Sequence, residues 1–381
     1  MRRRRAEWTR DRTRDRCSGG VHNGGVTQHV TVHIGLGAEA RDRGRAMEPE
    51  KVRAPNIRDV ARLAGVSYQT VSRVLNDSPN IKPSTRQRVI DVIDDLGYRP
   101  NQAARALVTN RSRTIGVLAG DTAHYGPTTS VHAIEIAARE AGYRVTITNS
   151  SSDYEALRAG LDHLRRQSVE AIIVIAPQLR VFDAISDMGL TIPFVTLDST
   201  RHDSSHSVSV DQFSGGRMAT RHLIDIGHTE IEHLAGPQDW IEADARMRGF
   251  LHEVREADLA TRPPILGDWT AAFGYHAGLE LLGNRDFTAV FCANDQMALG
   301  VIHAFHEHRV RVPEDVSVIG FDDVPDAAHF WPPLTTVRQD FAEIGRRSMA
   351  ILLDELEGTA TATHEQIAPE LVLRASTAPP R

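Results

Sequence analysis

From Thr114 onward the chain alternates short apolar runs with longer amphipathic segments, and this alternation constrains its fold more than any other feature. "TIGVLAG", "YRVTITN", "AIIVIAP", "PFVTLD", "IEHLAGP", "PPILGDW", "AVFCAND" and "VSVIGFDD" read as strands. Helix-period segments lie between them, among them stretches to Ala141 and Gln167 and over Ser214–Ile226, Ala243–Ala257, Phe273–Leu282 and Gln296–His308. Such alternation implies parallel sheets covered by helices on both faces. The length from 114 to 381 is large for one open sheet and suits an α/β core of two lobes. Ligands of such sheets sit beyond the carboxyl ends of the strands. Polar residues at those ends are therefore the candidate site.

Charge divides the chain. The net charge is −6, but residues 1–50 carry +4, residues 51–113 carry +7 and residues 114–381 carry −17. A small basic block on a large acidic body points to a nucleic-acid module joined to something else. The two cysteines, Cys17 and Cys292, form no metal-ligand spacing, which suits a reducing cytoplasm and predicts neither a structural metal nor a disulfide framework. No apolar run is long enough to cross a membrane. Residues 1–52 form an Arg-rich extension without apolar periodicity, expected to be disordered, and the native start is expected at Met47.

Residues 53–99 read as three short helices. Asn56 caps the first, Gly65 ends it and Ser67 caps the second. Pro83 opens the third and Gly97 closes it. At 100° per residue, Tyr68, Gln69 and Arg73 lie at about 0°, 100° and 140° around the second helix. Val71, Val74 and Leu75 lie at about 300°, 240° and 340°. One face is thus apolar and the other carries long polar side chains able to enter a major groove. Gln pairs bidentately with adenine and Arg with guanine, and Tyr offers hydroxyl and ring contacts. Ser67, Thr70, Ser72 and Asn76 are the candidate phosphate and flanking contacts. On an isolated helix these residues would be an ordinary solvated face; the helix–Gly–helix spacing and the local basicity favour DNA.

With these residues in view, the segment from Asn56 to Arg113 resembles the headpiece of the LacI/GalR repressor family, above all in "GVSYQTVSRV". "LAGP", "GDW", "ANDQMALG", "FDD" and "PPLTT" follow in the family's order. The resemblance implies a cytoplasmic, dimeric transcriptional repressor with a helix-turn-helix headpiece and a core like a periplasmic sugar-binding protein. It makes residues 100–113 a hinge helix, "NQAARALVTNR", in which Asn101 contacts DNA and Leu107 wedges into the minor groove. A palindromic double-stranded operator follows from two-fold symmetry. Lobe 1 is expected over about 114–210 and 341–368, and lobe 2 over about 211–338 and 369–381.

Asp198, Trp269, Asn294 and Asp322 stand at predicted strand ends and Arg246 starts a helix after "LAGP"; the resemblance matches all five to effector contacts, and Gln339, counted with them, and Phe341 to a stretch near the pocket and the lobe crossover. Carboxylates, an amide and a guanidinium suit vicinal sugar hydroxyls, and a tryptophan covers the apolar face of a pyranose. "AGDTAHYGPTTSV", the loop after the first strand, departs from the resemblance. There Asp121, His124 and Tyr125 add polarity and bulk where a second group of the ligand would lie. The expected effector is a glycoside or disaccharide rather than a purine. Its binding would alter lobe closure, move the hinge helices and weaken operator affinity by a reciprocal coupling of about 1–3 kcal/mol.

Two other classes fare worse. A sugar-binding transport protein would need a secretory leader and no DNA-reading helix. An enzyme would need a converging pair such as Asp322–Asp323 for glycoside hydrolysis, but adjacent residues at one strand end rarely meet one bond. His303, His306 and His308 lack i, i+4 ligand spacing, so no metal and no cofactor are expected. "LVLRASTAPPR" at the end carries no leucine heptad, which favours a dimer over a tetramer.

Overall fold

The computed structural model describes residues 55–76, 78–99, 106, 111–120, 124–150, 153–175, 191–197, 206–260, 262–359 and 363–381. Helices α1 (Ile57–Ala64), α2 (Tyr68–Leu75) and α3 (Pro83–Leu96) form the N-terminal module. Local chemistry sets each boundary. The Asn56 side chain accepts from the Arg58 and Asp59 N–H groups, and the Asp59 carboxylate accepts from the Asn56 N–H, completing a capping box. Gly65 and Gly97 end α1 and α3 with φ of 62° and 60°. The Ser67 hydroxyl accepts from the Thr70 N–H at the start of α2. Val60, Ala64, Val71, Val74 and Val89 meet as the module's core. Each fully buried valine contributes roughly 1.5–3 kcal/mol.

Among the described residues two six-stranded sheets follow. The first has order β11-β5-β4-β3-β1-β2, from β1 (Thr114–Ala119), β2 (Arg144–Asn149), β3 (Ala171–Ile175), β4 (Phe194–Thr196), β5 (His206–Val210) and β11 (His364–Ile367). All its pairings are parallel. The second has order β12-β10-β9-β8-β6-β7, from β6 (Ile231–Ala235), β7 (Ile265–Leu266), β8 (Ala289–Cys292), β9 (Ser317–Asp322), β10 (Thr335–Arg338) and β12 (Glu370–Val372). The sheets are parallel as the alternation predicts, with one edge strand, β12, running antiparallel to β10. A short edge strand needs no crossover helix and tolerates that direction.

Helices α4 (Tyr125–Glu140), α5 (Tyr154–Arg166) and α10 (Phe341–Glu357) flank the first sheet. The second is flanked by α6 (Gln212–Asp225), α7 (Ile241–Glu256), α8 (Ala271–Leu281) and α9 (Asp295–Glu307). The backbone passes between the lobes after β5, after β10 and after β11. In lobe 2, α6 and α7 touch backbone to backbone. A Cβ on Gly216 would lie 2.3 Å from the Arg246 carbonyl oxygen, and one on Gly249 would lie 2.3 Å from that of Phe213. Only glycine permits this approach, and it locks the start of α6 in register with the middle of α7.

Candidate functional site: a DNA-facing helix and an interlobe cleft

On α2 the apolar and polar faces separate cleanly. Val71 and Val74 are buried, whereas Tyr68, Gln69 and Arg73 are exposed. Ser67 and Asn76, the two caps of α2, are exposed, and Thr70 and Ser72 are half-buried. The Ser67 and Thr70 hydroxyls hydrogen-bond each other at 2.9 Å, so any phosphate contact would share or displace that bond. Asn101 and Leu107 lie outside the described residues.

Between the two sheets opens a cavity of about 760 Å³, counted with its mouth. It collects Tyr125, Arg246, Trp269, Asn294, Asp322, Gln339 and Phe341 from both lobes. Asp121 and Asp198 lie outside the described residues. Tyr125 belongs to the first turn of α4 rather than to a loop, and its ring meets Phe341 edge-on at 5.8 Å. Arg246 does not start its helix: α7 begins at Ile241, and Arg246 sits in its second turn. Neither start has a side-chain cap, since His124 and Trp240 occupy the N-cap positions.

Arg246 and Asp322 form the charged heart of the cleft. Their side chains are 6% and 7% exposed and lie 3.5 Å apart. The guanidinium stands 3.9 Å over the Phe321 ring and 5.5 Å from that of Trp269, and it donates to the Ala293 carbonyl. Burial raises the Asp322 carboxyl to about 6, against the opposing pull of Arg246 and of the Gln339 amide. Asp323 diverges from it and pairs with Arg338 and Arg374 at 2.7 and 2.6 Å. The two adjacent acids therefore do not face one bond.

Trp269 adopts a left-handed φ of 72° and is buried. The Asn294 amide secures that turn by donating to the Trp269 carbonyl at 3.0 Å. Gly236 of "LAGP" makes room for the indole, because a Cβ there would lie 2.2 Å from the ring. The indole N–H is buried and finds no acceptor among the described residues. Asn294 is itself the N-cap of α9 and donates also to Gln296, so its amide hydrogens are already committed. Asp295, next in sequence, is buried outside the cavity and holds the Thr336 hydroxyl and the Val324 N–H.

Among the cavity residues that sequence reasoning passed over are Trp240 and Gln212. Trp240 meets Trp269 at 5.4 Å and His124 at 5.2 Å, the latter across the lobes. Gln212, the first residue of α6, accepts from Arg246 Nε at 2.8 Å. Both follow strand ends, so the rule that selected Trp269 and Asp322 could have found them. Among the described residues, no His/Cys/Asp/Glu cluster suits a metal ion, and no helix is long and apolar enough to cross a membrane.

Comparison with known proteins places this geometry. Residues 56–101 match the model of bacterial regulatory proteins of the lacI family, and residues 220–377 match a periplasmic binding protein-like domain. The HTH-type transcriptional regulator GalS of Salmonella typhimurium is 41% identical over 330 residues, spanning 84% of this chain and 96% of that protein. The chain belongs to the LacI family. The HTH-type transcriptional repressor PurR of Haemophilus influenzae is 33% identical over 329 residues, spanning 84% of this chain and 98% of the relative. Among solved structures, the lac repressor dimer bound to operator and the anti-inducer ONPF aligns with a TM-score of 0.77 at 32% identity. It covers 86% of this chain and all of that one. As a LacI-family member the chain is a DNA-binding transcriptional regulator and not an enzyme.

Proposed function

We propose that this regulator is a homodimeric repressor that reads a palindromic operator through Tyr68, Gln69 and Arg73 and is released by a glycoside or disaccharide held in the cleft. The observation that carries the sugar reading is the buried Asp322–Arg246 pair beside Trp269. A carboxylate and a guanidinium side by side accept from and donate to vicinal hydroxyls, and an indole beside them covers the apolar face of a pyranose. The indole N–H of Trp269, without an acceptor among the described residues, supports a ligand oxygen at that wall. The operator-bound dimer of the lac repressor supports a two-fold DNA complex. In this chain Trp331 is 84% exposed, the kind of apolar surface that a subunit contact covers. Asp198, Asn101 and Leu107 remain assigned to effector and operator by resemblance, and Asp121 to the effector by its place in the loop after the first strand. A thermal-shift screen with lactose, cellobiose and methyl β-D-galactopyranoside, with and without operator DNA, tests the reading. Stabilisation by at least one of them supports it, and stabilisation by none removes it.

Two further outcomes are expected. Arg73→Ala should lose about 1–3 kcal/mol of discrimination between operator and scrambled DNA. Equal losses on both duplexes would reduce Arg73 to a phosphate contact. Sugar affinity should also depend on pH, because a ligand hydroxyl donates best to the ionised Asp322 carboxylate. With that carboxyl near 6, affinity should drop about tenfold between pH 7.5 and pH 5. The sign excludes simple unfolding through this group. A carboxyl raised on folding contributes stability below its unfolded pKa and loses it as pH rises through 6, so acid favours the fold here while weakening the ligand. Titration calorimetry at the two pH values decides it; equal affinities would take Asp322 out of the ligand contacts.

A further inference from the structure

Arg246 and Asp322 are joined by a closed ring of buried side chains. Arg246 Nε donates to Gln212 Oε1 at 2.8 Å. Gln212 Nε2 donates to Gln339 Oε1 at 2.8 Å, and Gln339 Nε2 donates to Asp322 Oδ1 at 2.6 Å. Asp322 and Arg246 close the ring at 3.5 Å. Its polarity is fixed by chemistry. Arginine only donates, so Gln212 must present its oxygen to Arg246 and its amide hydrogens to Gln339. Gln339 must then present its own hydrogens to the carboxylate.

The two glutamines occupy special places in the chain. Gln212 opens α6 directly after the backbone leaves β5 for lobe 2. Gln339 lies directly after β10, where the backbone returns toward α10 of lobe 1. The Gln212–Gln339 bond therefore ties two interlobe crossovers together, and its outer ends rest on the two groups assigned to the effector. On the lobe 2 side the tie is rigid, because Gly216 and Gly249 fix α6 against α7. The crossover at Gln339 leads within two residues to Phe341, which meets Tyr125 on lobe 1.

We infer that Gln212 is a positioning residue for the regulatory response: through Gln339 it clasps the two crossovers and transmits occupancy of Asp322 and Arg246 to the angle between the lobes. The coupling to effector rests on the sugar reading above; the clasp itself does not. A ligand that takes hydrogen bonds from this ring changes the terms on which the crossovers are held. That gives the bound state a differential contact with lobe geometry, as coupling requires.

Two variants separate the links. Gln212→Glu keeps an acceptor for Arg246 but has no hydrogen to donate to Gln339. Gln212→Met removes both bonds and guards against misfolding of the first. Lobe spacing is read in the full-length, ligand-free protein by electron–electron resonance between spin labels on Glu140→Cys and Glu280→Cys, exposed positions on α4 and α8. Cys17→Ser leaves only the buried Cys292, whose thiol burial holds in its protonated, unreactive form. In the dimer the parent should give narrow intra- and intersubunit distance peaks, and both Gln212 variants a broader or displaced intrasubunit peak. Parent-like distributions in both would overturn the clasp. Operator affinity is then measured with and without the most stabilising of the three sugars. The parent should change at least about fivefold, the low end of ordinary coupling, and Gln212→Glu less than about twofold. Full coupling in Gln212→Glu would also overturn the inference, since a merely structural role lowers stability without altering that ratio. Should no sugar affect the parent, the sugar reading falls and the distance distributions alone judge the clasp.

Discussion

Replacing Arg246 with methionine should cost about 3–5 kcal/mol of stability at pH 7.5, because it leaves the Asp322 carboxylate buried without its counter-charge. Methionine fills much of the stem volume, so the loss reports charge more than a cavity. The guanidinium is held against the cost of its own burial, which lowers its affinity for the proton, by Asp322, Gln212 and the Ala293 carbonyl. Without it, Asp322 would hold its proton to still higher pH, since the desolvation that already lifts it to about 6 would lose its main opponent. The penalty should therefore shrink at pH 5, where the carboxyl is neutral in the folded state. Urea unfolding at both pH values checks this. A loss below about 1 kcal/mol at pH 7.5, or an equal loss at both, would show that the pair is not a buried charge pair in solution.

Trp269→Ala should have the second-largest effect. Truncating a buried tryptophan costs about 3–5 kcal/mol, and here it also opens a gap against Gly236, Trp240 and the Arg246 guanidinium. Sugar response should be lost while operator binding persists, because the DNA-facing helix builds its own core from Val60, Val71, Val74 and Val89. Trp269→Phe retains a ring with less loss of volume and should recover part of the response. Normal release by sugar in the alanine variant would remove Trp269 from the pocket's working surface, whatever its stability.

The N-terminal helices were legible because their boundaries are local. Asn56, Gly65, Ser67, Pro83 and Gly97 act on backbone groups within a few residues of themselves, and Asp59 merely completes a cap that Asn56 already announces. Strand-end polarity likewise pointed to Arg246, Trp269, Asn294 and Asp322, which the fold brings to one cavity. The start of α7 was misplaced because Trp240 at its N-cap offers no oxygen to cap it. The ring of Gln212, Arg246, Asp322 and Gln339 was hidden for a different reason. Its members lie far apart in the chain, and only the folding of α6 against α7 and the return of β10 bring them within hydrogen-bond distance. Asn294 shows the converse: strand-end position marked it as a ligand group, yet its amide hydrogens are spent on Trp269 and Gln296.

The central claim is that sugar in the cleft controls DNA binding by α2. Its most direct measurement is the affinity of the full-length protein for a palindromic duplex, selected from random sequence by the protein itself, titrated with the three β-glycosides. At least one glycoside should weaken binding by fivefold or more, within the usual span of about 1–3 kcal/mol of coupling. Trp269→Ala should bind the same duplex and ignore the sugar. An affinity that no glycoside changes, or a selection that yields no two-fold sequence, would contradict it.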